Sequence, residues 1–102
     1  MKNFTYLSTH DVKELLFGIP KNHKHCRLII KTDQNQGLIF SEALVAAIVR
    51  SYMSVKTHPT RMGVEMAQTT VENHKDDFAA FQLLETGKND MNIQLEISDY
   101  ID

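Results

Sequence analysis

The chain has 102 residues, of which 42% are hydrophobic and 24% charged, and its formal net charge is −2 at pH 7. This length and apolar fraction are typical of one folded domain, so we predict a single compact domain over residues 1–102. The small net charge argues against strong nonspecific binding of nucleic acid. The longest apolar run, seven residues from Ala43 to Val49, is far below the roughly 20 that span a bilayer.

The first two predicted elements are a strand over residues 3–7 and a helix that ends at Gly18. Aromatic residues and a threonine make residues 3–7 strand-prone. Ser8 lies three residues before Asp11, which approximates a capping box at the beginning of a helix. The apolar residues that follow recur at helical spacing: Val12, Leu15 and Leu16.

A β-hairpin is predicted next. Cys26–Thr32 is apolar and strand-prone, and Asp33–Gly37 is rich in residues that favour turns. Residues 38–40 then return as the second strand of the hairpin.

The following segment predicts a helix from Ala43 to Val55, with Ser41 as its N-cap. This helix is apolar on most sides, which is typical of a helix that is buried in a core or against a partner. We expect Leu44 and Ile48 to face the sheet, and we predict that the flank of the helix is an interface. The predicted interface residues are Val45, Val49, Tyr52 and Met53.

The last third of the chain gives a mixed signal. Residues 61–70 fit either a strand, favoured through Met66, or the beginning of a long helix. A helix beginning at Asn73 or Asp76 is predicted to continue through Leu84 and end at Gly87, and Met91–Ile97 alternates as a half-buried strand does. The predicted fold class is therefore α+β: a small mixed or antiparallel sheet of about four strands, with about three helices mainly on one face.

The densest cluster of candidate metal ligands is formed by His23, His25 and Cys26. Imidazole and thiolate are preferred zinc ligands, but a structural site needs four of them. No paired-ligand motif accompanies the cluster, so a solvated loop leading into a strand explains the same residues better. We therefore predict no metal and no cofactor. A single cysteine also excludes an internal disulfide and favours the reducing cytosol.

The residues around Cys26 also argue against a catalytic site. Cys26 has charged neighbours in sequence, His25 and Arg27, which can activate a thiolate. A catalytic cysteine, however, normally has a separately placed histidine, and Cys26 opens an apolar strand. No nucleotide-binding, hydrolase or metalloprotease motif is present. An enzyme is therefore the less favoured interpretation.

The one concentrated basic segment spans residues 21–31, and four of its side chains are candidate phosphate contacts. It lacks the interleaved aromatic residues on which single-stranded nucleic acid stacks. The four candidates are Lys21, Lys24, Arg27 and Lys31.

Three functional hypotheses remain. The favoured one is a non-enzymatic, cytoplasmic interaction module that associates with itself or with another protein, through the apolar helix or an open sheet edge. The second is a nucleic-acid-binding regulator that uses the basic segment. The third is a metal-binding or thiol protein centred on His23, His25 and Cys26.

Overall fold

The computed structural model describes residues 3–70 and 81–101. The chain divides into two compact units, one from Met1 to Val45 and the other from Ala46 to Asp102. The described residues form a three-stranded and a two-stranded antiparallel sheet and two helices. The α+β class is thus confirmed, although the described ranges hold five strands and two helices rather than about four and three.

The first unit contains the three-stranded sheet. Its strands are β1 (Glu14–Gly18), β2 (Arg27–Lys31) and β3 (Gly37–Ser41), with β2 in the centre. The predicted hairpin is confirmed, because β2 and β3 pair in antiparallel register with Ile29 opposite Ile39. A side chain at Gly37 would collide with the Ile30 carbonyl oxygen, so the close approach of these strands requires glycine there.

The two elements predicted ahead of this hairpin are wrong. Residues 3–7 have no regular structure, and the predicted helix is replaced by strand β1. Ser8 and Asp11 do bond reciprocally: the Ser8 amide donates to Asp11 Oδ2 at 2.9 Å, and the Asp11 amide donates to the Ser8 carbonyl at 3.0 Å. Here these bonds close a turn before β1, and pairing with β2 supplies the backbone bonds that a helix would have made internally.

The register of the first sheet separates its two faces. Side chains alternate between faces along each strand, so one face carries two complete apolar rows across the three strands. The other face has one apolar row, flanked by an ion pair of 2.9 Å between Glu14 and Lys31. The residues of the apolar face are Leu15, Phe17, Leu28, Ile30, Leu38 and Phe40.

Helix α1 (Glu42–Thr57) begins immediately after β3. The Leu44 amide donates to the Ser41 hydroxyl at 3.2 Å, as expected of an N-cap. An acidic residue, Glu42, lies in the first turn and a basic one, Lys56, in the last, and both favour the helix dipole. The predicted helix over residues 43–55 is therefore confirmed with slightly wider bounds.

The second sheet pairs β4 (Met66–Thr70) with β5 (Phe81–Glu85) in antiparallel register. Of the two alternatives for residues 61–70, the strand is present, but it begins at Met66 instead of ending there. The predicted helix through Leu84 is wrong, because residues 81–85 form β5. Its first part, residues 73–80, lies outside the described residues. Gly87, the predicted helix stop, adopts a positive φ of 81° after β5.

Helix α2 (Asp90–Ile101) occupies the segment that was predicted as a strand over residues 91–97, so that prediction is wrong. Asn89 caps the helix: its side-chain oxygen accepts the Asn92 amide at 2.9 Å. Ile93 and Ile97 are four residues apart, so the apolar pattern fits a helix as well as a strand. The capping of this segment by Asn89 is what favours the helix over the strand.

A small packed centre lies in the second unit. Ala47 is 3% exposed and Ile93 is 5% exposed. Gly63 is also buried, and a Cβ atom there would lie 2.7 Å from Ile93 Cγ2. The loop before β4 therefore approaches α2 so closely that only glycine fits without displacement.

Candidate interaction surface

The two sides of α1 differ in the size of their side chains. Ala47 is buried, and Ser51, one turn later, is half-buried. The Ser51 hydroxyl donates to the Ala47 carbonyl at 2.9 Å and lies 3.6 Å from the sulfur of Met66. Most of the less exposed residues of α1 in the second unit are therefore small, namely Ala47, Ser51 and Ser54, with the half-buried Val55 as the exception.

The outward side of α1 carries large apolar side chains, which we call the α1 face. Val45 is half-buried, whereas the other members are 46–61% exposed. A surface helix normally shows the reverse arrangement, with its large apolar residues inward. The α1 face consists of Val45, Ile48, Val49, Tyr52 and Met53.

The predicted interface residues all belong to this face, so the structure brings together on one helical surface what the sequence singled out. Ile48 differs from expectation: it is 46% exposed, and Ala47 takes the buried position instead. Sequence reasoning placed Ile48 inward because it lies one turn after Leu44 on the apolar stripe of the helix. The signal that it missed is the run of small residues at positions 47, 51 and 54, which repeats at helical spacing.

Polar contacts fix α1 within the second unit and leave the α1 face outward. Arg61 donates to the Ser54 hydroxyl at 2.8 Å and to the Gly63 carbonyl at 3.3 Å, and it pairs with Glu85 of β5. Arg50 donates to the Leu83 carbonyl at 3.3 Å. Arg50 of α1 and Arg61 of the loop after it therefore connect α1 to β5, a role that sequence reasoning did not assign.

In the first unit, Glu42 connects the beginning of α1 to the two residues that precede β2, His25 and Cys26. Its carboxylate accepts the Cys26 amide at 2.9 Å and lies 3.3 Å from His25 Nδ1. These contacts, the Cys26 amide above all, lower the pKa of Glu42 below its ordinary value. The carboxylate in turn raises the pKa of the Cys26 thiol by hydrogen bonding to it. A thiol held in its protonated form is a poor nucleophile, which argues against thiol catalysis at Cys26.

The three candidate metal ligands are not assembled into a ligand set. Within residues 3–70 and 81–101, no three His, Cys, Asp or Glu side chains lie close enough together to hold a metal ion. His25 pairs with Glu42 instead, and His23 is exposed on the preceding loop.

The candidate phosphate contacts divide into two groups. Lys21 and Lys24 are exposed on the loop before β2. Arg27 and Lys31 lie at opposite ends of β2, and each contacts other groups of the protein. Arg27 donates to the carbonyl of Cys26 at 3.0 Å, and Lys31 pairs with Glu14. The predicted phosphate-binding role of these four residues stays a prediction.

A charged network that the sequence did not indicate surrounds Lys88 in the second unit. The ammonium lies 3.2 Å from Glu65 and 2.6 Å from Glu96, and Thr86 donates to Glu65 at 2.9 Å. Glu96, followed by Glu65, raises the pKa of Lys88, while Thr86, followed by Lys88, lowers that of Glu65. The network connects the residue before β4 and the residues after β5 to Glu96 of α2.

No protein-family model, curated protein sequence or solved structure matches this chain. Neither helix in the described part of the chain has the length and hydrophobicity that crossing a membrane requires.

Proposed function

We propose that this protein is a small non-enzymatic interaction module of the cytosol that associates with itself through the α1 face. One observation carries the proposal: four large apolar side chains are about half or more exposed on α1, whose one buried residue is Ala47. The four are Ile48, Val49, Tyr52 and Met53, with exposures of 46, 52, 61 and 50%.

The size of the α1 face supports a modest interface. A fully accessible aromatic side chain presents about 150–250 Å², so the four exposed residues together present roughly 400 Å². This equals the largest apolar patch of a typical monomer, which is often functional. It is about half of the roughly 800 Å² that each partner contributes to a standard interface. We therefore expect weak association, at micromolar concentrations.

An open sheet edge supports the same function. β1 is the first strand in the order of its sheet, and all five of its residues are exposed. Its outer edge pairs with no other strand of the described residues. Unpaired strand edges are templates for pairing with another chain, so this edge offers a second contact surface once two copies meet.

The test is size-exclusion chromatography with light scattering over a range of concentrations. We expect the mass of the wild type to rise above 11.7 kDa as its concentration approaches high micromolar values. Val49→Asp should remain at the monomer mass and keep its melting temperature, since a carboxylate desolvated in an interface is costly. Ala43→Asp is the matched control, because Ala43 is exposed on α1 outside the α1 face; it should associate as the wild type does.

Three results would overturn the proposal. The first is a wild type that stays monomeric at every concentration. The second is a Val49→Asp variant with unchanged association, which would mean that this surface makes no contact. The third is a Val49→Asp variant that unfolds, which would make position 49 part of a core.

A further inference from the structure

Four residues along one side of α1 form a seam with a regular repeat. Val45, Val49, Tyr52 and Lys56 are separated by four, three and four residues. This is the spacing by which one helix presents a continuous line of side chains to another. Glu42 lies three residues before Val45 and extends the same line into the first turn. The seam therefore has an apolar middle, an acidic beginning and a basic end.

The charges at the two ends select the orientation of a partner helix. If a second copy of α1 lies parallel, Glu42 meets Glu42 and Lys56 meets Lys56, and both contacts are repulsive. If it lies antiparallel, Glu42 of each copy meets Lys56 of the other, and both are attractive. The Glu42 side chain is 45% exposed despite its bonds to the first unit, so it remains accessible to a second molecule.

We propose that α1 pairs antiparallel with α1 of a second copy, about a two-fold axis that passes between Val49 and Tyr52. This inference rests on the proposed self-association and adds its geometry. Val49 of each copy faces Tyr52 of the other, and the aliphatic stem of Lys56 lies opposite Val45, so that its ammonium reaches Glu42 one turn further along the facing helix. Such a contact is isologous: the same surface serves both partners, as closed dimers require.

Disulfide crosslinking tests the antiparallel pairing of the two helices directly. The single native cysteine is first removed by Cys26→Ser, which keeps a hydroxyl in place of the thiol. Val45→Cys and Lys56→Cys are then added separately to this protein. Eleven helical residues span about 16 Å, whereas a disulfide needs Cα atoms within about 7 Å. With oxidised glutathione as the oxidant, each variant alone should stay uncrosslinked, and the equimolar mixture should give a disulfide-linked dimer.

Ala43→Cys is the matched control for position. Ala43 lies at nearly the same height on α1 as Val45 but outside the seam, so its mixture with Lys56→Cys should not crosslink. Lys56→Glu provides a measurement that needs no thiol. It puts two acidic residues at each end of the pair and should raise the dimer dissociation constant about tenfold at low salt. Lys56→Gln should have a smaller effect, and molar salt should reduce both.

The outcomes separate this geometry from the proposed function. Crosslinking of each variant with itself would show a parallel pair and overturn the orientation, while self-association would stand. A dimer by light scattering with no crosslink in any mixture, and no effect of Lys56→Glu, would mean that another surface associates. A monomer at every concentration would overturn the proposed function and this inference together.

Discussion

The folded structures of the two units of this protein depend on different interactions. All three buried residues of the described chain, Ala47, Gly63 and Ile93, belong to the second unit, and none of residues 3–45 is buried. The first unit instead consists of three strands in continuous backbone register, closed at one end by the Glu42 carboxylate. Backbone bonds can specify a sheet even where its side chains remain largely accessible. Side-chain packing, by contrast, is concentrated at the contact between Gly63 and Ile93.

This difference predicts that packing mutations have their largest effect in the second unit. Truncating a buried isoleucine loses its transfer free energy and leaves a cavity. Ile93→Ala should therefore lower the free energy of unfolding by about 2–5 kcal/mol, measured by urea denaturation. Leu95→Ala is the control, because Leu95 is 62% exposed on the same helix, and it should cost under about 1 kcal/mol. Equal losses for the two variants would contradict the packed centre described above.

The second-largest difference in stability between the units is expected when a glycine of each unit is replaced by alanine. Gly63→Ala would press its Cβ against Ile93, an overpacking that typically costs about 1–3 kcal/mol. Gly18→Ala in β1 has no atom within 4 Å of the new Cβ, and its effect should stay within about 0.5 kcal/mol. In the Ile93→Ala background the methyl group enters vacated space, so the penalty at position 63 should disappear. A penalty that persists there would mean that Gly63 is required for another reason.

The smallest expected effect is in the first unit and depends on pH. Because folding lowers the pKa of Glu42 below its ordinary 4.5, the ionised carboxylate stabilises the folded state above that pH. The stabilisation is lost as the pH falls through the lower value of the folded protein. Glu42→Gln should therefore be less stable than the wild type at neutral pH, and the difference should shrink as the pH falls through the lowered pKa of the folded protein, as judged by urea midpoints.

Glu14→Gln serves as the control for that comparison, since it removes a carboxylate of the same unit from an exposed ion pair with Lys31. Exposed pairs contribute little to stability, so its midpoint should follow that of the wild type across the pH range. If the gap between Glu42→Gln and the wild type stays constant with pH, the effect comes from the loss of a hydrogen-bond acceptor and not from the charge.

The parts of the fold that the sequence predicted correctly are those with local signals. The turn at 33–37 determines the β2–β3 hairpin, and Ser41 determines where α1 begins. The α1 face was also predictable, because four of its five members follow from the periodicity of one continuous helix. A local signal was passed over at Asn89, whose capping of α2 should have outweighed the alternation over residues 91–97.

Other elements were decided by contacts between distant residues. Leu15 and Phe17 alternate as in a strand, while Val12, Leu15 and Leu16 fit a helix, and only pairing with β2 selects the strand. The same holds for Phe81–Glu85, which becomes β5 because β4 is present to pair with it. Short amphipathic segments satisfy both periods, and the backbone partner that distinguishes them is not local.

By itself, then, the sequence determined the hairpin, the limits of α1 and the concentration of apolar residues along that helix. The tertiary structure decided which side of α1 is buried. The sequence favours Ile48 by hydrophobicity, yet Ala47 is the buried residue of α1, and Ser51, one turn later, lies beside the sulfur of Met66. Hydrophobicity is a property of each residue, but the space available to a side chain is set by its neighbours. Ile48 is therefore left on the α1 face.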